Sequence, residues 1–121
     1  MTVRAADEES FLVVFTTLGT VEEARNFVQE LVRRKLVACG TILPNATSIY
    51  RWEGAVTEAV ESVVMLKTRR DRWQDLLDAT VALHPYKVPE LISVPVDGGH
   101  DRYLRWIADE TVAPEHETEP Q

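Results

Sequence analysis

An α+β sandwich is the fold this sequence predicts, and three observations predict it. Apolar runs of strand length alternate with stretches of helical periodicity, in the order strand, helix, strand, strand, helix, strand. Two β-branched runs flank a Glu-Gly pair, the mark of a hairpin. The chain has 121 residues, room for one hydrophobic core and too little for two.

Residues 1–10 read as a flexible polar leader containing Asp7, Glu8 and Glu9. Phe11, Leu12, Val13, Val14 and Phe15 follow as a continuous apolar run, which suits a strand buried on both faces. Thr20 with Glu23 three residues on makes a capping box. Val21, Ala24, Phe27, Val28, Leu31, Val32 and Leu36 then recur at helical steps. Arg33, Arg34 and Lys35 stand in the last turn, where cations complement the helix dipole. Val37 to Pro44 is extended. After a break at Pro44 and Asn45 the chain resumes with Thr47 to Trp52, turns at Glu53 and Gly54, and runs on from Val56 to Thr68. In that last run Glu61, Val63, Met65 and Lys67 share one face, and Val60, Ser62, Val64, Leu66 and Thr68 the other. Strands usually hold about five or six residues. This hairpin is therefore too long for the sheet of one small domain, and its far end is expected to pair with another subunit.

Arg70 to His84 forms a second helix, with Trp73, Leu76, Leu77, Thr80 and Leu83 on its inner stripe. Pro85 and Pro89 then fix their own φ and push the preceding residue out of the helical region, so His84 closes the helix and Val88 is extended. The stiff turn between them holds a titratable ring, a phenol, an amine and a carboxylate in set directions, as functional loops do. A plain helix stop and strand start would use the same prolines. Glu90 to Val96 reads as an edge strand, because prolines bound it. Gly98 and Gly99 break it, Asp101 caps a last helix carrying Tyr103, Leu104, Trp106 and Ile107, and residues 113–121 read as a disordered acidic tail. Residues 11–112 thus make one domain, a ferredoxin-like βαββαβ sandwich with a long β-hairpin and a C-terminal helix.

The net charge of -7 opposes nucleic acid as a partner, because binding a phosphate backbone needs clustered Lys and Arg. Cys39 is the only cysteine, so neither an intrachain disulfide nor a cysteine-rich metal site is available, which suits a reducing compartment. The acidic leader lacks the form of a signal peptide, and no apolar stretch reaches membrane-span length. The expected location is the cytoplasm.

Ala38, Cys39, Pro44, Ala46, Thr47, Ser48, Tyr50, Trp52, Glu53 and Gly54, then Glu61, Lys67 and Thr68, then His84, Pro85, Tyr86, Pro89 and Glu90, and last Tyr103, Leu104 and Trp106, form a combination that resembles the CutA divalent-cation tolerance proteins. The resemblance covers Phe11 to Ile107. It implies a ferredoxin-like subunit in a homotrimer built like the PII signalling proteins, with no enzymatic activity, that binds divalent metal ions, copper among them. In bacterial members credited with metal ligation, a cysteine follows the first apolar run and two histidines precede the Pro-Tyr pair. Here those places hold Thr16 and Leu83, which leaves His84.

Each candidate has a plain structural reading beside the functional one. His84 is a nitrogen ligand, or a helix-ending histidine that bonds a free carbonyl of the last turn. Cys39 is a soft ligand for copper, or a small hydrophobe in a buried strand. Glu53, Glu61 and Glu90 are hard ligands, or partners of Arg51, Lys67 and Lys87. Tyr50 and Trp52 are read as anchors of the trimer interface. A ligand cleft between subunits would gather Lys67, Tyr86 and Glu90 with His84. The alternative function is a PII-like signalling module that binds a small metabolite in this cleft. An enzyme using His84 and Glu90 as acid and base ranks last, because no nucleophile with an adjacent base is present.

Overall fold

The computed structural model describes residues 10–113, so the expectations for a flexible leader and a disordered tail lie almost wholly outside the described residues. The elements are β1 (Phe11–Leu18), α1 (Val21–Arg33), β2 (Cys39–Trp52), β3 (Ala55–Arg69), a single 3-10 turn (Arg70–Arg72), α2 (Trp73–Leu83), β4 (Ile92–Pro95) and α3 (Asp101–Glu110). They form one sheet in the order β2-β3-β1-β4, with every neighbouring pair antiparallel.

Strand alternation decides where the core sits. Leu12, Val14, Thr16 and Leu18 of β1 and Ser62, Val64, Leu66 and Thr68 of β3 are all buried. The apolar members of this set pack against Ala24, Phe27, Val28 and Leu31 of α1 and Leu76 and Ala79 of α2. The buried hydroxyls are satisfied: Thr68 Oγ1 donates to the Leu36 carbonyl at 2.7 Å and Thr80 Oγ1 to that of Leu76 at 2.8 Å. The opposite face differs from the expected double burial of β1, since Val13, Phe15 and Thr17 are only half-buried. Within one chain that face is covered at one end, where Ile107 and Ala108 of α3 pack with Phe11 and Ala38.

Both ends of α1 follow from local chemistry. Thr20 Oγ1 accepts the Glu23 N–H at 3.0 Å, which supplies the threonine half of the expected capping box. At the far end the Leu36 N–H bonds the Leu31 carbonyl and the Lys35 N–H that of Val32, both at 3.0 Å, with Lys35 left-handed at φ 61°. This is a Schellman stop with lysine where glycine is usual. Arg33 and Arg34 both reach Glu30 at 2.6 Å, and their hydrogen bonds pull its carboxyl down to about 2.

Gly40 lets β2 lie close under α1, because a Cβ there would come within 2.7 Å of Val28 Cγ1 and 2.9 Å of Leu66 Cδ2. The expected break at Pro44 and Asn45 is a bulge inside one strand, with the register slipping between Leu43 and Ala46. Trp52 pairs with Ala55 across Glu53 and Gly54, both at positive φ, the type I′ turn whose twist matches a two-stranded ribbon. Beyond Ser62, β3 loses its partner β1, and residues 55–61 pair with β2 alone. There Ile49, Val56 and Val60 are 66%, 68% and 65% exposed.

Three local expectations change. Leu83 leaves the inner stripe of α2 and Ala79 takes that role. His100, not Asp101, is the N-cap of α3, with Asp101 its first residue. β4 is confined to Ile92–Pro95 on the edge beside β1.

Lys35→Gly is expected to stabilise the fold by about 1 kcal/mol, by removing a Cβ from a left-handed residue. Gly40→Ala is expected to cost about 1–3 kcal/mol through overpacking. Urea unfolding midpoints check both.

Candidate functional site

Pro85 ends α2, and His84 takes φ -72°, ψ 134°, so its ring leaves the helix and turns inward beneath β1, 7% exposed. Its own N–H still bonds the Thr80 carbonyl at 2.8 Å. The ring bonds β1 rather than a carbonyl of the last turn: Nε2 lies 2.8 Å from the Thr17 carbonyl and 3.2 Å from Thr16 Oγ1. Nδ1 lies 3.1 Å from the Tyr86 N–H. A backbone N–H must donate and a carbonyl must accept, so Nδ1 is the acceptor and Nε2 carries the proton. Phe27 and Tyr86 meet the ring edge-on at 5.5 and 4.8 Å. Burial holds the imidazole pKa below its ordinary value, while the Thr17 bond and the charges of Glu23 and Glu61 work the other way. Nε2 carries the proton and the Nδ1 lone pair accepts the Tyr86 N–H, so no imidazole lone pair is open to an ion.

The next ring faces outward. Tyr86 Oη donates to Glu61 Oε2 at 2.6 Å, tying the proline turn to β3. Burial first, and then the bond to the Glu61 carboxylate, hold the phenol above its ordinary range. Along this clip runs a groove of about 720 Å³ whose walls include Tyr50, Trp52, Glu61, Tyr86, Lys87 and Glu90.

The groove therefore brings together Tyr86 and Glu90 with Tyr50 and Trp52, and it leaves out His84 and Lys67. His84 lies behind Tyr86. Lys67 sits six residues from Glu61 along β3, about 20 Å away, opposite Val13 and Cys39. There its Nζ donates to Tyr103 Oη at 3.1 Å, a bond that raises the lysine pKa. Cys39 is half-buried in the same cluster, its Sγ 3.8 Å from Tyr103 Oη, so it is not the buried strand cysteine expected. His84 packs on the helix side of the sheet and Cys39 meets α3 on the other, so the two do not converge. Among the described residues no three His, Cys, Asp or Glu side chains gather to hold an ion. A resident intrachain metal does not fit this arrangement.

Charge pairing also differs from expectation, since Glu61 accepts from Tyr86 rather than from Lys67. Ion pairs form instead between Glu30 and Arg33 or Arg34, Asp71 and Arg69, and Asp75 and Arg72. The sequence reading missed Thr16, Thr17 and Phe27 as the surroundings of His84. One signal was available: a threonine on the core side of an apolar strand must find a polar partner.

A profile of the family described as CutA1 divalent ion tolerance protein matches residues 12–110. The chain belongs to this family. The curated divalent-cation tolerance protein CutA of Thermus thermophilus is 40% identical to it over 99 residues, 82% of this chain and 96% of that protein. The crystal structure of CutA1 from Oryza sativa superposes with TM-score 0.84 at 34% identity, covering 86% of this chain and 95% of the other. A structure described as the periplasmic divalent cation tolerance protein CutA from Archaeoglobus fulgidus superposes with TM-score 0.81 at 29% identity, over 84% and 99% of the two chains. The α+β sandwich with its antiparallel sheet is the CutA1 fold. Among the described residues no helix is long and apolar enough to cross a membrane.

The buried ring of this CutA1 chain sets a pH dependence. An unfolded histidine takes a proton near pH 6.5, whereas the folded His84 resists it. The unfolded state then binds more protons, and stability must fall as pH drops below that value. The advantage of the neutral ring is complete above about pH 6.5. Urea midpoints measured from pH 7.5 down to 5 are expected to decline in the wild type and to decline less in His84→Asn.

Proposed function

We propose that this chain acts as a non-enzymatic homotrimer in the cytoplasm that takes up divalent metal ions, copper among them, as part of the response to metal. The observation that carries the reading is membership of a family described by divalent ion tolerance. Assembly is supported by the hairpin, whose outer half carries Tyr50 and Trp52 at 41% and 48% exposure beside bare aliphatic residues. Exposed apolar surface of that kind is the usual mark of an interface. A cytoplasmic setting is supported by the single free thiol.

Metal is cargo in this reading, not a resident cofactor. With both His84 nitrogens engaged, the donors left from the sequence candidates are the Cys39 thiol and the Glu53, Glu61 and Glu90 carboxylates. One chain sets the thiol beside Tyr103, away from the two carboxylates of the groove, so saturable binding needs donors shared between subunits and is weak. Copper favours the thiol, and harder ions favour the carboxylates.

A second reading is supported by the groove itself. About 720 Å³ bounded by Tyr50, Trp52, Tyr86 and Lys87 falls in the size range of small-molecule sites. In that reading the chain is a PII-like signalling module, and a metabolite occupies the cleft between subunits.

Calorimetric titration of metal-free protein with Cu(II) and Zn(II), with mass measured by light scattering in the same buffer, tests the proposal. A trimer with weak saturable binding, reduced in Cys39→Ser and kept in His84→Ala, is the expected result. A trimer without saturable metal binding overturns the metal reading and moves the search to metabolites in the groove. Trp52→Ala is expected to weaken the trimer; an unchanged assembly would remove Trp52 from the interface.

A further inference from the structure

Basic residues crowd one corner of an otherwise acidic chain. Six of the 13 Lys and Arg residues stand in two short runs, Arg33, Arg34 and Lys35 at the end of α1, and Arg69, Arg70 and Arg72 just before α2, while the whole chain carries a net charge of -7. The fold brings part of both runs together. Arg33, Arg34, Lys35 and Arg72 line a cavity of about 490 Å³, and Asp75 and Asp78 line it from α2. None of these residues belongs to the groove beside Tyr86.

The cations around this cavity hold more N–H donors than the chain uses. Glu30 is shared by two guanidiniums, gripped by Arg33 through Nε and Nη2 and by Arg34 through Nε alone. Arg33 Nη1 and both terminal nitrogens of Arg34 therefore form no bond among the described residues. Lys35 pairs with no acid there either, and it occupies a left-handed φ of 61° that glycine fills with less strain. Arg72 is the most constrained of the four. Its side chain is 2% exposed, yet its partners are one surface carboxylate, Asp75 at 2.7 Å, and the Lys35 carbonyl at a long 3.4 Å from Nε. Its Nη2 bonds no described residue and is not sealed from solvent, so it opens on the cavity that Arg72 lines. A guanidinium taken out of water costs free energy until its N–H groups are bonded, and an anion in the cavity would complete this one.

Spare donors from two Arg forks and a Lys ammonium, set around a space of small-molecule size, suit the oxygens of a phosphate group. The aspartates add a second requirement. Asp75 spends one oxygen on Arg72 and Asp78 one on Gln74 Nε2 at 3.0 Å, and each keeps the other as an acceptor. Such acceptors repel a bare anion and suit hydroxyls on the molecule that carries it.

We propose that this cavity binds a small hydroxylated phosphate monoester, its phosphate seated among Arg34, Lys35 and Arg72 and its hydroxyls turned to Asp75 and Asp78. The site stands apart from the metal reading, since it shares no residue with the donors named there.

Amide chemical shifts titrated with glucose 6-phosphate, inorganic phosphate and glucose, at one pH and constant ionic strength, test the site. Saturable shifts at residues 33–36 and 72–79 are expected with glucose 6-phosphate, binding weaker by about threefold or more with inorganic phosphate, and no saturable shift with glucose. Lys35→Gly, expected above to fold more stably than wild type, and Arg34→Gln, at an exposed position, are each expected to weaken binding of the ester by about tenfold. Inorganic phosphate that binds as tightly as the ester overturns the assignment to a monoester. Wild-type shifts that glucose or sodium chloride reproduces, or either variant keeping its affinity within about twofold of wild type, overturns the site itself.

Discussion

Pro85 closes α2 at a residue whose side chain then has nowhere to go but inward, and much of the candidate site depends on that constraint. Had the helix run one turn further, His84 would have stayed on a helical surface. Forced to an extended conformation, it crosses to β1 and bonds the Thr17 carbonyl with one nitrogen and the Tyr86 amide with the other. The second bond sets the start of the proline turn, and the Tyr86 hydroxyl sets its far side against Glu61. A helix end, two strands and a loop are thereby locked through one neutral ring. The histidine is a structural keystone, and the groove is the space left in front of it.

The hairpin supplies the second constraint. Burial of apolar surface favours strands only as far as something covers them, and here β1 covers β3 no further than Ser62. A two-stranded ribbon in water is marginal by itself, and this one bears valines, an isoleucine and two aromatics. That bare apolar surface is the ground for the assembly proposed above, and the same ribbon forms one wall of the groove. Whatever occupies that groove and whatever covers the ribbon are therefore linked problems.

Metal tolerance looks different from this geometry than from the sequence. His84, Cys39, Glu61 and Glu90 read as a plausible donor list when they are points on a line. In three dimensions the sheet separates His84 from Cys39, and hydrogen bonds use up the imidazole. The family relation places the chain among divalent ion tolerance proteins, while among its described residues no three His, Cys, Asp or Glu side chains gather in one place.

The order and type of the elements were determined by the sequence alone, because the signals are local: the Thr20 cap, the 3.6-residue spacing of Ala24, Phe27, Val28 and Leu31, the Glu53-Gly54 turn and the proline stop each act within a few residues. Alternation along β3 even assigned Ser62, Val64, Leu66 and Thr68 to one face. What only the tertiary structure decided was which polar groups meet. Thr16 and His84 are 68 positions apart and Glu61 and Tyr86 are 25, and no local rule brings either pair together. The rise of one extended strand already keeps Lys67 away from Glu61, but only the packed fold sets Tyr86 against Glu61 and Tyr103 against Lys67. Hydrogen bonds between distant residues depend on the packing of the whole sheet, whereas helices, turns and stops depend on their neighbours.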